Sequence, residues 1–199
     1  MSVPVILYDQ TMSRWQPDAR GRLAQAALEL YVERGFEQTT VAEIAERAGL
    51  TERTFFRHFA DKREVIFPAQ NEFRDMFVAV VAAAPDDLAP LDAAALALHS
   101  VAADFEERLP WSRKRQRVID ANPGLQEREL IKLAGVATAI AATLRERGVS
   151  EPTASLTGQS AIAVFHVGFA QWIAPENIRP FTEIIAESLA ALKGVTAGA

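Results

Sequence analysis

Apolar residues recur every three to four positions through most of the chain, and the breaks between these runs predict about nine helices and no strands. Residues 1–17 show no period, end in Trp15-Gln16-Pro17, and read as an arm. Asp18 is placed to cap a first helix, Ala19–Arg34, whose stripe is Leu23, Ala27, Leu30 and Tyr31. Gly35 stops it, and Phe36 is set to fold back onto the stripe. Thr40 with Glu43 has capping-box spacing for a short helix, Val41–Ala48, burying Val41, Ile44, Ala45 and Ala48. Gly49-Leu50 breaks it. Thr51 caps a third helix to about Phe59, with Leu50, Phe55 and Phe59 inward. Asp61 is expected to cap a longer fourth helix carrying Val65, Ile66, Phe73, Met76, Phe77 and Val80. Pro68 lies inside that run, where it kinks or restarts the helix.

After the break from Ala84 to Pro90, further helices are expected at about 91–109, 111–122, 125–148, 151–174 and 180–193, with Gly194 as the last stop and a tail over 195–199. The pattern predicts an all-α chain with a unit over 18–67 and a second over 68–194. Composition supports it: 36 of the 199 residues are alanine. With no cysteine, disulfides, thiol catalysis, zinc fingers and iron–sulfur clusters fall away. The three histidines, His58, His99 and His166, are far apart, so neither metal nor cofactor is expected. No apolar run reaches the roughly 18 residues of a membrane span, and the opening segment lacks the form of a secretory signal. A cytoplasmic protein is the expectation.

Two short helices meeting at Ala48-Gly49-Leu50 form a helix-turn-helix pattern. Glycine permits the turn, Leu50 fills the angle, and Thr51 satisfies free amides of the second helix. That helix has an apolar face, Phe55 and Phe59, and a polar face carrying Arg53 and Arg57 one turn apart, with Glu52 beside them. A helix of this width fits the major groove, where arginine pairs bidentately with guanine. The competing reading is a solvated helix face. Total charge does not decide, because residues 1–67 hold nine basic and ten acidic side chains and residues 68–199 hold twelve and sixteen.

The phrase TTVAEIAERAGLTERTFFRHFADKREVIF, within about Arg20 to Phe67, resembles the DNA-binding domain of the TetR family of bacterial repressors. The resemblance implies a homodimer that binds a double-stranded DNA operator and responds to a small-molecule effector. It places Glu52, Arg53 and Thr54 at base-reading or groove-wall positions, and Phe56, Arg57 and His58 against phosphate and sugar. It sets Thr40 and Lys62 at helix N-termini that favour phosphate, with Thr51 as the cap. Two positions depart from the family pattern. Phe56 replaces a frequent tyrosine and loses a hydroxyl contact, and Arg53 replaces a frequent glycine and adds a guanine reader. The arm has only Arg14, Arg20 and Arg22 to offer a minor groove.

The rest of the chain is less diagnostic. RKRQRVID followed by ANPGLQEREL resembles an actinobacterial subset described as acyl-CoA-like ligand-binding regulators. A stripe of Phe181, Ile184, Ile185, Ser188, Leu189 and Leu192, beside a helix with the small residues Ala161, Ala163, Gly168 and Ala170, suits an intersubunit four-helix bundle. The alternative is that both helices serve their own subunit's core. Candidate effector-pocket residues are Phe73, Met76, Phe77, Phe105, Trp111, Phe165, His166, Phe169 and Trp172, with plain core as the alternative. The basic run Arg113, Lys114, Arg115 and Arg117 is expected on a solvated face, with an anionic ligand or pairing to Glu127 and Glu129 as the lesser option. No catalytic motif is present, so an enzyme is not expected. A helical ligand- or partner-binding module without DNA contact is the remaining alternative.

Overall fold

Proline and glycine set most of the element boundaries. The computed structural model describes residues 19–197. Its elements there are α1 (Ala19–Arg34), α2 (Val41–Arg47), α3 (Glu52–His58), α4 (Gln70–Ala83), α5 (Pro90–Phe105), α6 (Leu109–Asp120), α7 (Pro123–Glu146), α8 (Thr153–Trp172) and α9 (Phe181–Ala197), with 3-10 turns at Glu64–Ile66 and Glu106–Arg108. The expected arm over 1–17, with Arg14, and the Asp18 cap lie outside the described residues. The chain divides into two compact units between Pro68 and Ala69.

The main departure from the expected pattern is the fourth helix. Asp61 Oδ1 does accept from the amides of Arg63 and Glu64, at 2.7 and 3.0 Å. It caps only the 3-10 turn, and α4 begins afresh at Gln70. Pro68 has no amide to continue a helix and disfavours helical backbone at Phe67 before it. Val65, Ile66 and Phe67 still bury completely or nearly so, but in the first unit. Elsewhere Pro90, Pro110 and Pro123 open helices, where a missing amide costs little. Gly194 does not stop α9, which runs on to Ala197. A helical glycine costs only about 1 kcal/mol.

In the first unit, Gly35 turns the chain at φ +89° and Phe36 packs edge-on against Tyr31 at 5.2 Å. Lys62, just beyond α3, closes the unit. Its ammonium donates to the carbonyls of Phe36, Glu37 and Thr39 at 3.0, 3.3 and 3.2 Å and lies 4.4 Å from the centre of the Phe36 ring. In return the Tyr31 hydroxyl donates to the Lys62 carbonyl at 2.5 Å. Burial, and then the Asp61 carboxylate, hold the Tyr31 phenol well above its ordinary pKa, so it stays a protonated donor.

The second unit packs α4, α5, α7, α8 and α9 around one core. Backbones approach closely at two glycines. A Cβ on Gly158 of α8 would lie 2.3 Å from the Ala137 carbonyl oxygen of α7, and one on Gly168 would lie 3.0 Å from Ile185 Cδ1 of α9. The α9 stripe packs inward within its own chain: Phe181, Ile184, Ile185 and Leu189 are buried, with Ser188 and Leu192 half-buried.

The basic run of α6 is not a solvated face throughout. Arg113 donates to the carbonyls of Ile173, Ala174 and Asn177 at 3.0, 2.6 and 3.1 Å, closing the C-terminal end of α8. Arg115 pairs with Glu129 at 2.9 Å, whereas Lys114 and Arg117 are exposed. From the turn before α6, Glu106 Oε1 accepts from the amide and hydroxyl of Thr182 at 3.2 and 3.3 Å, at the start of α9. Residues 106–113 therefore hold both ends of the α8–α9 connection.

Two substitutions test this packing. Lys62→Met keeps the stem and deletes three charge-assisted bonds, so chemical denaturation followed by circular dichroism should show a loss of about 2–3 kcal/mol. Gly158→Ala forces a methyl against a backbone oxygen and should cost about 1–3 kcal/mol, read as a lower Tm.

Candidate nucleic-acid interface

The helix-turn-helix is built from local signals. Thr40 Oγ1 accepts from the Glu43 amide at 3.3 Å while the Glu43 carboxylate accepts from the Thr40 amide at 2.9 Å. This reciprocal cap, with the Arg34 guanidinium, holds the Glu43 carboxyl below the usual range. Gly49 sits at φ +65°, left-handed backbone that side chains disfavour. Thr51 Oγ1 then accepts from the Thr54 amide at 3.2 Å and starts α3.

One face of α3 is core. Phe55 is fully buried and meets Phe59 at 5.6 Å, and Leu50 is half-buried in the turn. Arg20 of α1 lies 4.9 Å over the Phe59 ring and donates to the Pro68 carbonyl at 2.7 Å. The opposite face carries exposed Glu52, Arg53, Phe56 and Arg57, with Thr54 and His58 half-buried at its margin. Phe56 is 56% exposed, an unusual position for a phenylalanine with no partner outside the unit.

Charge is sorted within this unit. On α1 and α2, Arg47 binds the Glu33 carboxylate bidentately at 3.0 Å and Arg34 binds Glu43 at 2.9 Å, so those basic groups are neutralised. Arg53, Arg57 and Arg63 are exposed and enter no ion pair among the described residues; Arg57 makes only a 3.5 Å contact to its neighbour His58. The near-zero total thus conceals ion-paired arginines on α1 and α2 and, on the exposed face of α3, Arg53 and Arg57 with Glu52 beside them.

Two expected phosphate contacts sit differently. The Lys62 ammonium is turned onto the carbonyls of Phe36, Glu37 and Thr39, which take its three donors, so it positions α3 and adds no free donor beside Arg53 and Arg57. The Thr40 amide and hydroxyl are both engaged by Glu43.

In the second unit, Phe73, Phe77, Phe105, Phe165, Phe169 and Trp172 join with Phe181 in one ring cluster at centroid separations of 4.8 to 6.2 Å. Met76 packs against the same core. His166 lies outside the cluster, because one helical step from buried Phe165 turns its side chain to solvent. Trp111 lies on α6, 5.9 Å from the Arg115 guanidinium, and His99 is exposed. Phe181 was legible only as part of the α9 stripe. Among the described residues no group of His, Asp and Glu is placed to hold a metal, and no helix is long and apolar enough to cross a membrane.

Residues 23–67 match the family model of bacterial regulatory proteins, tetR family, and residues 88–197 match that of the MftR C-terminal domain. The regulator TcmR of Streptomyces glaucescens is 40% identical over 82 residues, 41% of this chain but only 36% of its own length. The regulator MftR of Mycobacterium tuberculosis is 24% identical over 86% of this chain and 88% of its own. The crystal structure of Thermus thermophilus FadR, a TetR-family repressor in complex with lauroyl-CoA, shares the fold with TM-score 0.54 at 21% identity, covering 87% of this chain and 93% of that one. With both halves matched in sequence order around this helix-turn-helix, the chain belongs to the TetR family of bacterial transcription regulators.

Proposed function

We propose that two copies of the chain bind a palindromic operator as a repressor, each setting α3 into a major groove, and release it when a small, largely apolar effector occupies the second unit. The observation that carries this reading is the outer face of α3, where unpaired arginines and a bare phenylalanine stand on a helix whose other face is buried. Arg53, with Glu52 and Thr54 beside it, reads base edges, and its guanidinium matches the two acceptors of guanine. Arg57 and His58 hold phosphate. Phe56 supplies apolar contact to sugar or a thymine methyl. Lys62 and Thr51 keep α3 in place.

One short helix reads too few base pairs for specificity, so the operator needs two, spaced about 34–36 Å or a multiple of it. A groove of about 390 Å³ between α8 and α9 supports pairing of copies there. Its walls include Ala163, Val164, Val167, Ala191, Leu192 and Val195. Val167 and Val195 are exposed, as are Ala163 and Ala191 beside them in the groove. The buried part of the α9 stripe thus serves its own subunit, and the groove, which Ser188 and Leu192 of that stripe also line, receives the partner.

The lauroyl-CoA of the FadR relative belongs to that protein. It suggests an acyl chain as the apolar body of the effector here, and the aromatic cluster is the apolar surface that would receive the chain. Its rings touch one another, so an effector must part them and thereby favour a conformation in which they are parted. Because residues 106–113 grip both ends of the α8–α9 connection, such a movement reaches the helices that pair the copies.

Fluorescence anisotropy with duplexes from the adjoining intergenic DNA tests the interface. Arg53→Ala should weaken binding by about 1–3 kcal/mol and relax preference at one base pair of each half-site. Arg57→Ala should weaken all sequences alike and lower the salt slope by about one ion per site. Unchanged binding in both variants contradicts the reading. For the pairing face, light scattering should give twice 21.8 kDa for the parent chain and a monomer for Val167→Glu with its helix content intact.

A further inference from the structure

Helix α6 carries two buried polar atoms that take no hydrogen bond among the described residues. Ser112 is 1% exposed and its hydroxyl has no hydrogen-bond partner. One turn on, the amide oxygen of Gln116 is also buried and unpartnered, and the four-residue spacing puts both side chains on one face of α6. The Gln116 amide is oriented by its other end, where Nε2 donates to Asp120 at 2.9 Å and to Glu129 at 3.3 Å. Two carboxylates thus take the two amide hydrogens. Oε1 is left pointing away from them, and an amide oxygen can only accept. Glu129 is matched by Arg115, and Val118, Ile119 and Leu125 nearby in sequence are buried apolar residues.

A buried polar atom without a partner lowers stability, so native chains keep few, and each needs an explanation such as a bound group. We propose that Ser112 Oγ and Gln116 Oε1 form the polar end of a small-molecule site in the second unit. It takes a neutral head group that donates an N–H or O–H to Gln116 and accepts from Ser112: a primary amide or an alcohol on an apolar body. An ionised carboxylate does not fit, since it brings no donor to Oε1 and would lie beside Glu129. The site deepens, and rests on, the reading of the chain as a ligand-responsive regulator. Occupancy acts on the helix that carries Arg113, and so on the α8–α9 connection.

The test compares octanamide with octanoate, which share a carbon skeleton and differ in head group, by titration calorimetry on the full chain. Octanamide should bind at least about tenfold more tightly than octanoate. Gln116→Leu should remove that preference, and Ser112→Ala should weaken octanamide binding. Ser112→Ala deletes only the unpaired atom, so its Tm should stay level or rise, whereas a structural hydroxyl would make it fall. Equal affinity for the two heads, no binding of octanamide, unaltered octanamide binding in Ser112→Ala, or a lower Tm in that variant overturns the proposal, the last identifying a hydroxyl satisfied by an internal water only. Operator binding measured without octanamide separates this failure from failure of the regulator reading.

Discussion

The geometry of the first unit depends on one ammonium group. Lys62 follows α3 in sequence yet donates to three carbonyls in the turn between α1 and α2, while Tyr31 of α1 reaches back to the carbonyl of Lys62. The two ends of the unit are thereby joined across α2 and α3. Phe55 and Phe59 fill the space beneath, and only the opposite edge of α3 remains outward. A surface lysine would add one charge beside Arg53 and Arg57. Turned inward, it fixes where the other charges stand, and that is the larger effect, since a groove contact requires the guanidinium fork of Arg53 at a defined angle.

The same economy of charge appears throughout the unit. Glu33 and Glu43 neutralise Arg47 and Arg34 on α1 and α2, so a stretch with nine basic and ten acidic residues still presents unpaired arginines on one side. Local placement decides polyanion binding here, because screening in salt confines each charge to about 8–10 Å. In the second unit, arginine acts instead as a structural clamp. Arg113 closes the end of α8, and Arg147 does the same for α4 by donating to the carbonyls of Ala82, Ala84 and Pro85. The planar fork places its N–H donors on several carbonyls in one fixed geometry.

What could be read from residues alone was what local chemistry decides. The Thr40–Glu43 box, the Gly49 turn, the Thr51 cap and the buried Phe55–Phe59 pair are each settled within four residues, and all were legible. The identity of the Lys62 and Arg113 acceptors was not, because backbone carbonyls leave no trace in sequence and lie 23 or more residues away. The α9 stripe showed what is buried but not against whom. Phe181 and Ile185 face their own chain, whereas Ser188 and Leu192 of the same stripe line the groove proposed as the partner surface. Pro68 signals a break and the unit boundary, yet only the structure shows that Val65 and Ile66 lie on a separate 3-10 turn and not on the helix that carries Phe73 and Phe77.

Operator recognition as proposed requires an α3 edge presented twice to one duplex. Hydroxyl-radical footprinting of the full chain on its adjoining intergenic DNA addresses that directly. Two protected patches on one face of the helix, centred about 34–36 Å apart or a multiple of it, are the expected result. A single patch, or uniform cleavage at modest salt, would contradict it.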